Sequence, residues 1–503
     1  MTRVIRYVGC AGSGKTSNLL KIIKESKDSE NISIDDILFI SFTKSQISDV
    51  KGRISDIFPM ASDDDIKNNV KTIHSAALQV FMSSNPNSGI KVITESKTNQ
   101  EYYEGFCNSN GLEYEFKYQV DEGITDPNYN SSLKSGNVFF KVNSYLETCA
   151  LDVSLWPDVV KQMKFIDSQC KKFTDDLFTA WKAYKLIKGC YEHDDYINEV
   201  YNKRLLPRSR KFLVLDEGQD VSYAQYRLYE MWRDANIFET VILALDDNQS
   251  IYKFRGADPK LMIDTRVDDD VGATSERRVK SWRNPSRIHT MGDLMLGKPS
   301  HGSPREDGGS IAIETPKDAA EVAEVILKLH RRYGKVMILS RIKAGANQIH
   351  MALNYAGIPH TSLTNRYNTW TIAYIMKNNR KVKFDMLQFM KAAYMNPNKA
   401  ITDLYGMRFS YSDEFLHKII FKAIKSERRI DPNSIIVDTI HASKGLESPC
   451  VVIYDPGFNA DGDIAEEHRI YYVAATRSSN HLTLMLGYKA KKFCNIIGSA
   501  LLG

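Results

Sequence analysis

The sequence predicts an α/β protein built on two parallel sheets, each interrupted by a mainly helical insertion. Three observations carry that reading. Short apolar runs alternate with helix-periodic stretches in both halves of the chain. The first such run leads directly into a glycine-rich loop and a helix. Two long polar and aromatic stretches, 81–204 and 359–431, break the pattern and read as helical insertions, the second the smaller. This layout places a first α/β domain at 1–80 and 205–280 and a second at 281–358 and 432–503.

In chain order, Val4–Val8 reads as the first strand and Asp36–Phe42 (DILFISF) as the second, with a helix running on through Ile54. Val70–His74 reads as a strand ahead of a helix that starts at Ser75. After the first insertion come Lys211–Leu215 and Val241–Leu245, which run into the acid pairs Asp216-Glu217 and Asp246-Asp247. Gly297–Ser310 (GKPSHGSPREDGGS) reads as a surface loop. Ser310–Ile313, Val336–Leu339, Ile435–Val437, Val451–Tyr454 and Leu482–Met485 then supply the second sheet. The second insertion is basic around Lys377–Lys383.

Composition narrows the class. A chain of 503 residues exceeds a single core. The excess of 67 basic over 62 acidic residues permits a nucleic-acid groove without demanding one. No apolar run approaches the ~18 residues of a membrane span. The start of the sequence runs directly into a strand with no secretory pattern, so the expected location is cytoplasmic: the nucleoid, or a host cytoplasm for a phage-encoded enzyme. The seven cysteines are scattered with no C-x-x-C pair, which argues against a zinc site or a disulfide framework. Cys10 reads as a small filler or as an oxidation-sensitive thiol.

GCAGSGKT, Gly9–Thr16, sits between strand and helix and matches G-x-x-x-x-G-K-[ST]. Its backbone N–H groups, from Gly12, Ser13 and Gly14 into Lys15, Thr16 and Ser17, suit the phosphates of a nucleoside triphosphate, helped by the positive end of the helix. Lys15 suits the β and γ phosphates, and the Thr16 hydroxyl suits Mg²⁺. Asp216 at the end of an apolar strand suits the same ion, and Glu217 suits a general base that polarises the attacking water.

DEGQD (Asp216–Asp220) followed by LDDNQSIYKFRGA (Leu245–Ala257) resembles motifs II and III of the UvrD/Rep/PcrA-like superfamily 1 helicases. The other motifs follow in order: SFTKSQ (Ser41–Gln46), TIH (Thr72–His74), SWRNPSRI (Ser281–Ile288), TIHASKGLE (Thr439–Glu447) and EEHRIYYVAATR (Glu466–Arg477). HDDY (His193–Tyr196) is similar to the family's weaker helical motif before motif II. The resemblance implies two RecA-like domains and ATP hydrolysis with Mg²⁺, coupled to movement on single-stranded DNA and at single/double-strand junctions. It implies Gln249 as γ-phosphate sensor, and Arg283 and Arg477 as arginines reaching that phosphate from the second domain, so that hydrolysis depends on domain closure. It implies Trp282 as a stacking face for adenine, against the plainer reading of a core tryptophan, and Glu447 as a carboxylate near the ribose. Phe42, Thr43, Thr72, His74, Tyr252, Phe254 and His441 match positions lining the strand groove, where aromatic rings stack on bases of any sequence. Phe42 also suits a core position, and Phe254 stands where the family commonly has Trp.

Two departures qualify the resemblance. The sequence carries no glutamine-containing, adenine-reading segment ahead of Gly9, so hydrolysis of other nucleotides is an expectation alongside ATP. The second insertion is shorter than the family's usual one, which favours translocation over strong unwinding. The expected activity is an ATP-dependent single-stranded DNA translocase and 3′→5′ helicase. The alternative is a nucleic-acid-stimulated NTPase that remodels protein–DNA or RNA complexes without strong unwinding. Other rivals are a P-loop NTPase without nucleic-acid work and an inactive strand-binding scaffold. Replication or repair proteins are the expected protein partners of a monomer that has no contact with membranes.

Overall fold

Strands buried on both faces read as near-continuous apolar runs, the pattern of a parallel sheet covered by helices. The computed structural model describes residues 2–42, 44–86, 89–116, 133–263, 276–305, 308–363, 430–455 and 464–486. The chain divides into two units, Met1–Trp282 with 301–303 and 460–469, and 283–300 with 304–459 and 470–503. The expected insertion at 359–431 falls almost wholly outside the described residues, as does Thr43.

Among the described residues the main sheet of the first unit has six parallel strands: β1 (Arg3–Gly9), β2 (Ile37–Ser41), β3 (Val70–Thr72), β4 (Arg210–Leu215), β5 (Phe238–Leu245) and β6 (Glu276–Arg278). Their order is β3-β2-β4-β5-β1-β6. Side chains alternate across the sheet, so the strands feed two cores. Leu38, Ile40, Leu213, Val241 and Leu243 pack with Phe81, Leu228 and Trp232 on one face. Phe39, Val214, Ile242 and Ala244 pack with Leu19, Ile23, Val50 and Ile54 on the other. Because β5 lies between β1 and β4, the segments leaving all three strands converge at one carboxyl edge, where open α/β sheets hold ligands.

Helices Gln100–Ser109, Ser135–Thr148 and Asp175–Ile187 enclose an aromatic core of Phe106, Phe139, Phe178 and Trp181. Below it Lys185 is buried between Glu192, at 2.7 Å, and Asp195, at 2.6 Å. Tyr103 and Trp181 donate to the same Glu192 carboxylate at 3.0 and 3.1 Å. Removing Lys185 would leave the two carboxylates without their shared cation in a buried site, the costly case for buried ions.

The second unit holds β7 (Ser310–Glu314), β8 (Val336–Ser340), β9 (Ile435–Thr439), β10 (Ser448–Asp455) and β11 (Ser478–Leu486), parallel throughout in the order β7-β11-β10-β8-β9. Its core joins Ile338, Val437 and Val452 to Ile326, Ile349 and Leu353 of the covering helices. Among the described residues no helix is long and apolar enough to cross a membrane.

Several local expectations are corrected. β3 ends at Thr72 and the helix begins at Ile73 rather than Ser75, because the Thr72 hydroxyl accepts the Ser75 N–H at 3.2 Å and so starts the helix as its N-cap. That moves His74 from a strand to a first helical turn. The helix after β2 runs Lys44–Ile57, past Ile54. The expected loop Gly297–Ser310 contains the short strand Ser303–Arg305. β6 was not expected: Glu-Arg-Arg has no apolar signal, and backbone pairing with β1 makes it a strand.

Candidate functional site

The loop after β1 is built around two left-handed glycines, Gly12 at φ 72° and Gly14 at φ 77°, a conformation that costs any other residue a Cβ clash. Gly14 is the N-cap of the helix Lys15–Glu30 and brings no side chain to it, so the first backbone N–H groups face outward uncapped. Lys15 is only 8% exposed, and its ammonium donates to Gly9 O at 2.8 Å, Cys10 O at 3.0 Å and Asp246 Oδ2 at 3.3 Å. The Ser13 hydroxyl is buried with no hydrogen-bond partner. Ser17 instead accepts from Arg53 Nη2 at 2.9 Å. Cys10 is a buried filler whose thiol donates to Val279 O at 3.1 Å. Trp282 is not a core residue: it is 66% exposed, and its backbone N–H donates to Gly12 O at 2.8 Å, which ties its main chain to the glycine loop.

Carboxylates close the site from β4 and β5. Thr16 Oγ1 donates to Asp216 Oδ2 at 2.6 Å. Burial, and then the neighbouring Glu217 charge, push the Asp216 carboxyl up to about 7. Glu217 adopts φ 58°, ψ 40°, a left-handed conformation uncommon outside glycine. Its Oε2 accepts from Gln219 Nε2. Gln219 Oε1 in turn accepts the Asp246 N–H at 3.0 Å, and Asp246 Oδ2 accepts from Gln249 Nε2 at 2.5 Å. Burial raises the Asp246 pKa against the opposing pull of Lys15. In the sequence Asp246 is half of an acid pair and Gln219 one letter of DEGQD. Spacing gives no sign that a side chain three residues along bridges two strand-end loops.

In the second unit Arg283, Glu447 and Arg477 come together at the amino ends of β10 and β11. Arg283 Nε pairs with Glu447 Oε2 at 2.6 Å, and its Nη1 donates to Thr476 O at 3.3 Å. Arg477 is 2% exposed and donates to Val473 O at 3.0 Å and Leu446 O at 3.4 Å. His441 lies in a short helix after β9, at the opposite, carboxyl edge of that sheet.

Of the expected groove residues in the first unit, three form one aromatic cluster. The Phe42 and Tyr252 rings are 5.2 Å apart, the Tyr252 and Phe254 rings 6.1 Å. The Arg255 guanidinium lies 5.7 Å from both Tyr252 and Phe254. Tyr252 is buried, while Phe42 and Phe254 remain part-exposed. Thr72 spends its hydroxyl on the helix cap, and His74 packs against the insertion. His74 Nε2 lies 4.0 Å from Asp194 Oδ1 and 3.5 Å from Gln225 Nε2, with the His193 ring at 5.4 Å. That His74–Asp194 distance is a loose ion pair's, yet burial lowers the His74 pKa and raises that of Asp194. Both groups are thus driven toward their neutral forms.

Two family models match the chain. Residues 3–269 match the UvrD/REP helicase N-terminal domain and residues 434–485 the UvrD-like helicase C-terminal domain. A Mycoplasma pneumoniae protein named "Probable DNA helicase" is 23% identical over 500 residues, 94% of this chain and 79% of that protein. The ATP-dependent DNA helicase PcrA of Bacillus subtilis is 25% identical over 367 residues, 69% of this chain and 46% of PcrA. PcrA of Staphylococcus epidermidis is 21% identical over 466 residues, 88% of this chain and 59% of PcrA. The chain thus spans about half the length of these PcrA relatives. The two parallel sheets are the RecA-like domains of an ATP-dependent DNA helicase family, and the chain belongs to the UvrD/REP helicases.

Proposed function

We propose that the protein is an ATP-driven motor on single-stranded DNA that moves 3′→5′ and separates the duplex ahead of it. The observation that carries this reading is a continuous hydrogen-bonded path. It runs from Lys15 through Asp246 to Gln249, on the segment that continues into Tyr252 and Phe254. A group that holds phosphate and a group that stacks on bases are thereby parts of one short piece of chain.

The uncapped start of the helix at Lys15 and the buried, partnerless Ser13 hydroxyl fit a triphosphate, whose oxygens would satisfy both. Thr16 and Asp216 offer an adjoining hydroxyl and carboxylate, a donor pair that fits Mg²⁺ completed by phosphate oxygens and water. The ion, when held there, neutralises phosphate charge. Lys15 binds and orients the phosphates. Glu217 takes the proton of the attacking water, Gln249 senses the γ phosphate, and Arg283 and Arg477 offset charge on the transferred group. Trp282 offers its exposed face to the base, and Glu447 stands near the sugar. Phe42, Tyr252 and Phe254 grip the strand, with Thr72, His74 and His441 as polar contacts and Thr43 as a further groove position. Replication or repair proteins are its partners.

Strand separation on matched duplexes with a single-stranded 3′ or 5′ tail tests this reading. The 3′-tailed duplex is expected to open in the presence of ATP while the 5′-tailed one stays closed. Preference for the 5′ tail would overturn the direction. Hydrolysis stimulated by single-stranded DNA without opening of either substrate would support translocation and remodelling instead. GTP and RNA in parallel reactions decide nucleotide and polymer preference.

A further inference from the structure

We infer that Gln219 is a positioning residue that locks Glu217 to the Asp246–Gln249 segment, so that the base and the γ-phosphate sensor are held as one unit. The inference rests on the roles proposed above for Glu217 and Gln249.

The geometry is specific. Gln219 lies in a short turn after β4 and is 0% exposed. Its amide works at both ends: Nε2 donates to Glu217 Oε2, and Oε1 accepts the backbone N–H of Asp246 at 3.0 Å. Its own carbonyl accepts the Ser250 hydroxyl at 3.2 Å, a second tie to the same segment. Glu217 needs such a restraint. A non-glycine residue in the left-handed region persists where its surroundings hold it there, and such residues cluster at functional sites. A carboxylate on that turn has rotamers to choose among, and an amide placed by a second fixed hydrogen bond narrows that choice. The other end of the bridge matters equally. Asp246 directs its carboxylate to both Lys15 and Gln249. A displacement of the segment that carries Tyr252 and Phe254 would therefore reach Glu217 through a single buried side chain. Glutamine suits this position because one planar group supplies a donor and an acceptor and carries no charge into a dry site already holding Asp216, Glu217 and Asp246.

The test is a double-mutant cycle on nucleoside triphosphate hydrolysis by the full chain. Gln219→Met keeps the volume and removes both hydrogen bonds. The expected result is a kcat loss of roughly 10- to 100-fold with KM for the nucleotide unchanged, the signature of an interaction expressed in the transition state. In a Glu217→Gln background the same substitution should cost nothing further, since Gln219 acts through Glu217. Gln219→His retains one donor and one acceptor and should recover part of the loss; it also carries the cycle if the Met variant does not fold. Additive losses in the double mutant, a raised KM at unchanged kcat, or a Met variant as fast as the parent would each overturn the assignment. Every reaction is run with and without single-stranded DNA. A parent enzyme indifferent to DNA would sink the motor reading, whereas additivity in the cycle would sink only the role of Gln219.

Discussion

The helix Lys15–Glu30 and the helix Ala319–Tyr333 each follow an early strand of their unit, and they begin in opposite ways. The first starts from Gly14, left-handed and without a side chain to offer. The second starts from Asp318, whose carboxylate accepts the N–H groups of Ala320 and Glu321, both at 2.9 Å. An open helix start is a seat for a phosphate, whereas a capped one already carries its own anion. The remaining chemistry follows the same division. In the first unit Lys15, Thr16, Asp216, Glu217 and Gln249 leave the carboxyl ends of strands, where open α/β sheets bind ligands. In the second, Glu447 and Arg477 stand just ahead of the amino ends of β10 and β11, and Arg283 pairs with Glu447. In the function proposed above, one α/β unit binds the nucleotide and the other contributes cations.

That contrast can be broken from either side. The largest expected effect is that of Arg283→Ala, which should lower kcat for strand-stimulated hydrolysis by on the order of 10³-fold, as loss of a phosphate-directed arginine does. A change within severalfold would leave Arg283 as a structural partner of Glu447 only. Next in size is Tyr252→Ala. Fluorescence anisotropy with a labelled oligonucleotide should show binding weakened by about 1–3 kcal/mol, the usual value of one stacking platform. Unaltered affinity would reassign the Phe42–Tyr252–Phe254 cluster to the core. The smallest effect belongs to Asp318→Ala. Removing that cap should lower stability by about 1 kcal/mol in denaturant unfolding and leave hydrolysis at the parent's rate. A collapse of hydrolysis would mean that the second unit's helix start also serves the nucleotide.

The sequence conveyed the parts of the molecule that local spacing encodes. The β strands announce themselves as apolar runs, and the glycine loop is legible because its lysine, its hydroxyl and its left-handed glycines are neighbours in the chain. The acid pair after β4 is legible for the same reason. Features set by tertiary pairing were not. β6 is three charged residues made into a strand by β1. Thr72 reads as a strand residue until its hydroxyl is seen capping a helix. Gln219 and Asp246 acquire their meaning from a hydrogen bond that joins the ends of two different strands. Trp282 lies between: its motif suggested a role, and its 66% exposure decides against a core position, while its backbone N–H pairs with Gly12 O.

The most direct measurement is phosphate release from ATP with and without single-stranded DNA, for the parent and for Lys15→Ala in parallel. The account predicts that DNA accelerates the parent severalfold and that Lys15→Ala shows no DNA-stimulated release. Stimulation that survives in Lys15→Ala would place catalysis outside the glycine loop. A parent indifferent to DNA would detach the nucleotide site from the aromatic cluster and contradict the motor.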